Sequence, residues 1–436
     1  MRPVVRQCTF SLKNVQLILV HILHIGKHNK KISILTVISF LLICYIMKLA
    51  IIKTVRVNVH KRTTSFSSTT RITCSSDMIK ENSSVSRQDW DFRLFKRPTF
   101  LKNFKNPCFF QNVTMRVDGS PTLNGQLRLR CLPYFLIAGF PKSGTTDLWV
   151  RLLNHPEIKL RHPKEPRFFN FGRYREGSYA NAAAKYISLF DKASTELHRL
   201  VAPVECKDHP FPFYHGITGE GTVDTVFDNN FWQHVPGNEH CMEPIITNAD
   251  YAYHINPNMK IIFMVRNPVE RLYSDYIYEA RYIRYPLSSQ LFHEAVIDAI
   301  KNHTDCRKYT TIRACAYNGT IETFKIRLRV GMYSVFIKDW LQVFQPENIL
   351  VVKAEDTFGP KKYRTYRRIF EFLNIRPFTK LEEVNIFHRG AVNTRSSREK
   401  RIGDMLPETR KLIEQFYEPF NKELVKMFPD IDYTNV

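Results

Sequence analysis

Several common motifs are missing from this chain of 436 residues, and each absence argues against a class of protein. No C-x-x-C pair occurs among the nine cysteines, which argues against a structural zinc site. No G-x-x-x-x-G-K-[ST] sequence is present, so the Walker A loop of P-loop NTPases is absent. The magnesium ligands of a phosphoryl-transferring kinase are not recognisable either. The sequence therefore argues against a zinc-stabilised domain and against a kinase.

One long apolar run is present, at residues 32–52, and only Lys48 and a few hydroxyl groups interrupt it. Its length is what a bilayer core requires, about 20 residues. A cleaved signal peptide and a buried helix are the alternatives. The apolar core of a signal peptide is shorter, about 7 to 15 residues, and no small-residue cleavage site follows the run. Lysines within residues 27–31 favour a cytosolic N-terminus, although basic residues also follow the span.

These features predict a type II membrane protein with four parts. Residues 1–31 form a cytosolic tail, and residues 32–52 form a transmembrane signal-anchor. Residues 53–105 are mostly polar, rich in Ser and Thr, and basic, which is typical of an extended lumenal stem. Residues 106–436 form the catalytic domain, whose length suits a single α/β domain.

Sequons and cysteines favour a lumenal location for the residues after the span. Four Asn-X-Ser/Thr sequons are present, at Asn82, Asn112, Asn302 and Asn318. Seven cysteines also lie beyond the span, and an oxidising lumen makes disulfides their best explanation. Plausible pairs are Cys306 with Cys315, Cys108 with Cys131, and Cys206 with Cys241. The connectivity is not derivable from sequence, and the odd number leaves one thiol free or linked between chains.

Basic residues strongly outnumber acidic ones, 64 against 41, and the formal net charge is +23. Nucleic acid is the general suggestion for so basic a protein, but a lumenal glycoprotein does not meet it. A sulfated glycosaminoglycan is a polyanion of the same kind, whose binding releases counterions and weakens with salt. We therefore expect a glycosaminoglycan partner and no nucleic acid. Candidate contacts are Arg167, Arg173, Arg175, Arg281 and Arg284.

The most informative segment is residues 134–146, YFLIAGFPKSGTT. Its apolar half predicts a buried strand that ends at Pro141, and an amphipathic helix follows the loop. Strand, tight loop and helix N-terminus form the geometry that holds phosphate, because backbone N–H groups and the positive end of the helix dipole point at the anion. Lys142 adds a full charge, and Gly144 lets the backbone approach closely. Hydroxyl donors come from Ser143, Thr145 and Thr146.

A second strand and helix supply the other half of the predicted site. Residues 261–265 are continuously apolar, as expected for a parallel sheet covered on both faces. Asn267 is a good helix cap, Pro268 suits the first helical position, and Glu270 completes a capping box. Arg266 ends the strand and Ser274 lies nearly two turns into the helix. These two side chains are expected to converge on one anion.

Residues 141–146 resemble the 5′-phosphosulfate loop of sulfotransferases that use PAPS (3′-phosphoadenosine 5′-phosphosulfate). Arg266 and Ser274 resemble the 3′-phosphate site of that family. Further segments resemble the N-acetylgalactosamine 4-sulfate 6-O-sulfotransferases among the Golgi carbohydrate sulfotransferases; these are residues 217–220, 227–232, 269–276, 402–410 and 416–421. The likeness runs in order from about residue 131 to 428, and so covers the whole expected catalytic domain.

The resemblance implies roles for further residues. Glu165, in the segment KEPRFF, corresponds to the general base of Golgi glycan sulfotransferases. Many members carry a His two places later, where this chain has Arg167. Residues 395–401 correspond to a basic loop over the nucleotide, so Lys400 and Arg401 are expected to reach the 3′-phosphate.

The fold implied by the resemblance is α/β: a single P-loop-like sulfotransferase domain with a central parallel sheet flanked by helices, preceded by one transmembrane helix. The implied reaction is sulfuryl transfer from PAPS, without a metal, to a glycosaminoglycan hydroxyl. The acceptor implied is position 6 of 4-sulfated N-acetylgalactosamine in chondroitin or dermatan sulfate, in the Golgi lumen. A heparan sulfate or uronyl acceptor and a non-catalytic glycan-binding protein are the alternatives.

Overall fold

The computed structural model describes residues 91–115, 121–202, 212–283, 287–322, 326–388, 390 and 402–434. All of these residues belong to one compact unit of the chain. The predicted span at residues 32–52, Lys400 and Arg401 all lie outside the described residues. Within the part that the structure describes, no helix is both long enough and apolar enough to cross a membrane.

Strands and helices alternate through most of the described chain. The strands are β1 Cys108–Met115, β2 Pro121–Cys131, β3 Phe135–Gly139, β4 Gly219–Glu220, β5 Lys260–Val265 and β6 Ile349–Lys353. The α-helices are α1 Thr145–Leu153, α2 Tyr179–Ser188, α3 Asp191–Leu197, α4 Asn248–Ile255, α5 Pro268–Ile283, α6 Ser289–Tyr309, α7 Ile312–Tyr317, α8 Tyr333–Val343, α9 Lys362–Phe372, α10 Lys380–Phe387 and α11 Pro407–Met427.

The central sheet has the strand order β4-β3-β5-β6, and all its neighbouring pairs are parallel. Helices cover both faces, as the continuously apolar strands predict. Along β3, Leu136 and Ala138 join the core that contains side chains of α2, α4, α5, α8 and α11. On the other face, Phe135 and Ile137 join the core that contains side chains of α1, α9 and α10. The predicted parallel sheet flanked by helices is therefore confirmed.

A two-stranded antiparallel hairpin, β1 with β2, lies outside the central sheet. Cys108 and Cys131 stand directly opposite each other in its register, and a disulfide joins them. Both cysteines are fully buried. This bond confirms one suggested pair. It links the two strands at the open end of the hairpin.

A second disulfide joins Cys306 near the end of α6 to Cys315 in α7. It confirms the suggested short loop. Cys241 is also disulfide-bonded, and Cys206, the partner suggested for it, lies outside the described residues.

Residues 91–105, which the sequence assigned to the stem, pack against the domain. Phe92 is only 7% exposed, and its ring centre lies 4.3 Å from that of Tyr251. Arg97 donates hydrogen bonds to the backbone carbonyls of Tyr253 and His254. The aromatic residues of this segment bury apolar area that a solvated stem would expose. The packed domain therefore begins before residue 106.

Candidate active site

The loop between β3 and α1 is shaped by two residues with left-handed backbone conformations. Lys142 has φ 65° and Gly144 has φ 79°. A Cβ atom at Gly144 would make only ordinary contacts of 3.8–4.0 Å, with Met264, Ala354 and Phe358. The positive φ, rather than lack of space, is what favours glycine at this position.

The N-terminus of α1 is left open by its own sequence. Gly144 is the N-cap residue and no side chain caps the helix. An uncapped helix start presents backbone N–H groups and the positive end of the dipole. The predicted anion-binding arrangement of strand, loop and helix N-terminus is therefore present, with Thr145 as the first helical residue.

Ser143 and Tyr333 connect this loop to the end of β5. The Ser143 hydroxyl is fully buried and has no hydrogen bond of acceptable geometry. It still lies close enough to the Tyr333 hydroxyl to moderate that group's pKa, which burial raises to about 12. The Tyr333 hydroxyl donates to the carbonyl oxygen of Arg266 over 2.9 Å. A buried hydroxyl with spare capacity beside an open helix start fits a bound oxyanion.

Arg266 lies against the loop, as the sequence predicts for two halves of one site. Its Nη1 atom is 3.4 Å from the carbonyl oxygen of Lys142. The Lys142 ammonium lies over the ring of Tyr278 in α5, 3.9 Å from the ring centre. Ser274 is half-buried in the same helix. The residues predicted to bind the donor thus lie on one loop, at one strand end and on one helix.

The start of α5 corrects one expectation. Asn267 caps the helix, because its Oδ1 atom accepts from the N–H of Val269 over 2.9 Å. Glu270 does not complete a capping box and instead pairs with Arg410 of α11. The Asn267 N–H donates to Glu355 over 2.9 Å. Glu355, from the segment after β6, thus accepts the hydrogen bond that Glu270 would accept in a capping box.

Glu165 is held between two cations. Its Oε1 atom lies 2.6 Å from Lys164 Nζ, and its Oε2 atom lies 3.4 Å from Arg167 Nη2. Its side chain remains 28% exposed. Glu165 and Arg167 both have positive φ, 67° and 60°. The Arg167 N–H donates to the hydroxyl of Thr222, which fixes the segment around Pro166.

Three further charged residues, which belong to no sequence motif, lie near Glu165 and Lys142; these are Asp224, Glu279 and Arg327. Arg167 lies 4.0 Å from Asp224, and Arg327 lies 3.0 Å from Glu279. We call this set the charged cleft; its members are Lys142, Glu165, Arg167, Asp224, Glu279 and Arg327.

Electrostatic coupling joins the members of the charged cleft. Burial raises the pKa of Glu279, and the charges of Arg327, Lys142 and Arg167 act in the opposite direction. Burial also raises the pKa of Asp224 to about 6. Groups that perturb one another in this way lie close together, and such clusters are common at functional sites. The structure thus connects Lys142 with Glu165 through Glu279 and Arg167.

Arg173, one of the candidate acceptor contacts, is structural. It is 2% exposed, its guanidinium lies 4.2 Å from the ring centre of Tyr251, and it donates to Asn248 over 3.1 Å. Arg175 is exposed. The side chain of Arg281 and the whole of Arg284 lie outside the described residues.

Glu220, the last residue of the edge strand β4, is expected to control part of the pH dependence of stability. It is 1% exposed, and burial raises its pKa from 4.5 to about 7. The folded state therefore keeps a proton that the unfolded state releases, and this contribution to stability falls by about 3 kcal/mol as pH rises through that window. Glu220→Gln should thus gain stability relative to wild type between about pH 4.5 and 7.

Urea unfolding at several pH values measures this difference. The control is Glu294→Gln, which removes an exposed carboxyl group instead of a buried one. A pH-independent difference for Glu220→Gln would show that the buried carboxyl does not titrate in this range.

An open helix start beside a parallel strand, with Lys142 and Arg266 close to it, is the arrangement of an α/β protein that binds a phosphorylated ligand. Residues 132–400 match the sulfotransferase domain family. The chain belongs to that family, as its sequence motifs predict, and within it to the carbohydrate sulfotransferases.

The relatives are similar over most of this chain. Carbohydrate sulfotransferase 15 of Mus musculus is 34% identical over 368 residues, which are 76% of this chain and 65% of the relative. Carbohydrate sulfotransferase 15 of Homo sapiens is 32% identical over 399 residues, 83% of this chain and 70% of the relative. Heparan sulfate glucosamine 3-O-sulfotransferase 6 of Mus musculus is 22% identical over 339 residues, 72% of this chain and 77% of the relative. The chain thus spans about two thirds of the length of the first two.

Proposed function

We propose that this protein transfers a sulfuryl group from PAPS to position 6 of 4-sulfated N-acetylgalactosamine in chondroitin or dermatan sulfate. The observation that carries the proposal is the charged cleft, in which Arg167 pairs with the carboxylate Glu165 and, together with the phosphosulfate-loop residue Lys142, acts on Glu279. A donor-binding cation and a carboxylate that faces the same space are what sulfuryl transfer to a hydroxyl requires.

Loop and helix residues would hold the donor. Lys142, Gly144 and the N–H groups at the start of α1 would bind the 5′-phosphosulfate, with hydroxyl donors from Ser143, Thr145 and Thr146. Arg266 and Ser274 would bind the 3′-phosphate, and Lys400 and Arg401 would close over it. PAPS supplies the sulfuryl group and a phosphate leaving group. The buried Ser143 hydroxyl without a well-formed hydrogen bond fits this assignment.

Glu165 would act as the general base. Its carboxylate accepts the proton of the acceptor hydroxyl as the acceptor oxygen forms a bond to sulfur. The bond between sulfur and the 5′-phosphate oxygen breaks, and Lys142 with the loop N–H groups stabilises the negative charge on that phosphate. Lys164 and Arg167 hold the two oxygens of Glu165 in place.

The choice of acceptor rests on charge and on the family segments. A net charge of +23 suits a sulfated polymer. Residues 217–220 and 227–232, which carry the likeness to 4-sulfate 6-O-sulfotransferases, flank Asp224 of the charged cleft on both sides in the sequence. A heparan sulfate acceptor is the second candidate, and the lower identity to the heparan sulfate enzyme disfavours it.

We also propose a Golgi location, with residues 32–52 as a membrane anchor and the enzyme domain in the lumen. Asn112 and Asn302 are exposed, as glycosylation requires, and Asn318 is half-buried. Two disulfides within the domain fit an oxidising compartment.

A donor-binding assay on the full-length protein separates the competing functions. PAPS should bind without added magnesium, and ATP with magnesium should not compete. Binding of ATP with magnesium and not of PAPS would identify a kinase, and binding of neither would identify a non-catalytic glycan-binding protein.

Arg266→Ala and Ser274→Ala should each weaken PAPS binding. Each substitution removes a charge-assisted hydrogen bond worth about 1.5–3 kcal/mol, so the dissociation constant should rise by at least about tenfold. Calorimetric titration with 3′-phosphoadenosine 5′-phosphate and with its analogue lacking the 3′-phosphate measures the effect.

Preference for the 3′-phosphate should fall in parallel with affinity. Arg161→Ala is the control for Arg266, because Arg161 is an exposed arginine that pairs with Glu196 outside the charged cleft. Unchanged affinity and unchanged preference in both variants would remove Arg266 and Ser274 from the donor site.

A further inference from the structure

A basic surface lies at the edge of the sheet next to β6, on elements that supply no residue of the charged cleft. A cavity of about 320 Å³ lies between α9, the end of β6 and the segment after α11. Its lining includes four cations and two carboxylates; these are Lys353, Lys361, Arg364, Arg368, Asp356 and Asp430. We call this lining the basic groove.

The sequence of α9 separates an apolar face from a basic one. Lys361, Arg364 and Arg368 follow one another at spacings of three and four residues, which places them on one side of the helix. Tyr366 and Ile369 are buried in the core on the other side. The three cations of the basic face all line the groove, and all are exposed to solvent.

Two arginines of the basic groove have no anionic partner among the described residues. Lys361 pairs with Asp356 at 3.3 Å, and Lys353 donates to the carbonyl oxygen of Asp432 over 3.1 Å. Arg364 and Arg368 are exposed, and neither forms an ion pair within the described part of the chain. Their guanidinium groups are thus available to bind an anion.

Two aromatic residues near the start of α9 are exposed. Phe358 is 38% exposed and Tyr363 is 45% exposed. Exposed aromatic faces provide apolar platforms for sugar rings, and guanidinium groups match sulfate and carboxylate oxygens with two parallel hydrogen bonds. The guanidinium groups of the basic groove suit a sulfated polysaccharide better than an uncharged glycan.

We propose that the basic groove binds a sulfated stretch of the acceptor glycosaminoglycan at a distance from the sugar being modified. This inference rests on the proposed function, because it takes the acceptor to be a sulfated polymer. A chain held at two places on one protein gains affinity from effective concentration, whereas an oligosaccharide too short to reach both places does not. The groove therefore selects for long chains without acting on the chemical step.

Arg364→Ala combined with Arg368→Ala tests the proposal in the full-length protein. With polymeric 4-sulfated chondroitin, KM should rise about tenfold, because two exposed charge contacts are lost. The slope of log binding constant against log salt should become shallower by up to about two. With a 4-sulfated chondroitin hexasaccharide, kcat and KM should stay within about twofold of wild type.

The matched control is Lys422→Ala combined with Lys426→Ala. These lysines are exposed and four residues apart on α11, like the two arginines on α9. Their removal deletes the same charge and should change KM for polymer by less than about twofold. The hexasaccharide kcat also shows that each variant is folded.

Three outcomes would overturn the proposal. The first is a polymer KM in the arginine variant equal to that of the lysine control. The second is a hexasaccharide KM that rises as much as the polymer KM, which would place the arginines at the reacting sugar. Loss of binding to vesicles containing anionic phosphatidylserine, with chondroitin binding intact, would assign the groove to a membrane. Wild-type protein that binds the polymer through these arginines but transfers no sulfate would support the groove and contradict the proposed acceptor.

Discussion

Replacing Glu165 by Gln is expected to lower kcat by about 10²–10⁴-fold, the usual contribution of a positioned general base. Gln keeps the size of the side chain and its hydrogen-bonding capacity, but it cannot take the proton of the acceptor hydroxyl. Affinity for PAPS should change little, because Lys142 and Arg266 supply the donor contacts. Initial rates with 4-sulfated chondroitin and direct donor titration separate the two quantities.

Glu196→Gln is a closely matched control. Glu196 is also 28% exposed and also lies 2.6 Å from a cation, here Arg161, but it belongs to α3 rather than to the charged cleft. Its variant should turn over normally. Near-normal turnover by the Glu165 variant would take that residue out of the mechanism. Asp224, whose pKa burial raises to about 6, would then be the first alternative base.

Replacing Lys142 by Ala should damage both donor binding and turnover. Loss of a charged hydrogen-bond donor weakens ground-state binding by about 1.5–3 kcal/mol. Loss of a group that stabilises charge on the departing phosphate costs a further factor of about 10²–10³ in kcat. Donor titration and single-turnover rates at saturating PAPS measure the two effects separately.

Lys185→Ala controls for the general loss of a lysine, because Lys185 is exposed and pairs with Glu176 at 2.6 Å. That variant should retain both donor affinity and rate. If Lys142→Ala weakened donor binding and left the single-turnover rate unchanged, Lys142 would serve binding alone and the leaving phosphate would depend on the backbone donors.

The strands and the donor loop are predictable from sequence because their signals are local. Residues 135–139 and 261–265 are continuously apolar, and such runs are buried on both faces of a parallel sheet. The loop is recognisable because one short segment contains the strand end, Lys142 and Gly144. Each of these features depends on neighbours within a few positions.

The charged cleft could not be found in the same way. Asp224 and Arg327 are about a hundred residues apart, and only the fold places Arg327 and Arg167 near Asp224. Asp275 and Glu279 are four residues apart on α5, and both carboxylates pair with Arg327. This spacing is a local signal for a cation site on that helix. The suggestion that Arg173 contacts the acceptor failed because of another long-range contact. Its guanidinium is buried over the ring of Tyr251 in α4.

Helix caps show the same limit. Asn267 and Pro268 start α5 as predicted, because both effects act within one turn. The partner of Glu270 is Arg410, which lies 140 residues away along the chain. Local capping rules cannot anticipate a long-range ion pair that competes for the same carboxylate.

The central claim is tested most directly by the position of the transferred sulfate. The full-length protein is incubated with labelled PAPS and a panel of 4-sulfated chondroitin, dermatan sulfate, desulfated chondroitin and heparan sulfate, and the products are digested to disaccharides. We expect label at position 6 of 4-sulfated N-acetylgalactosamine, and none in desulfated chondroitin or heparan sulfate. Label on a glucosamine or a uronic acid, or no label in any acceptor, would contradict the proposed function.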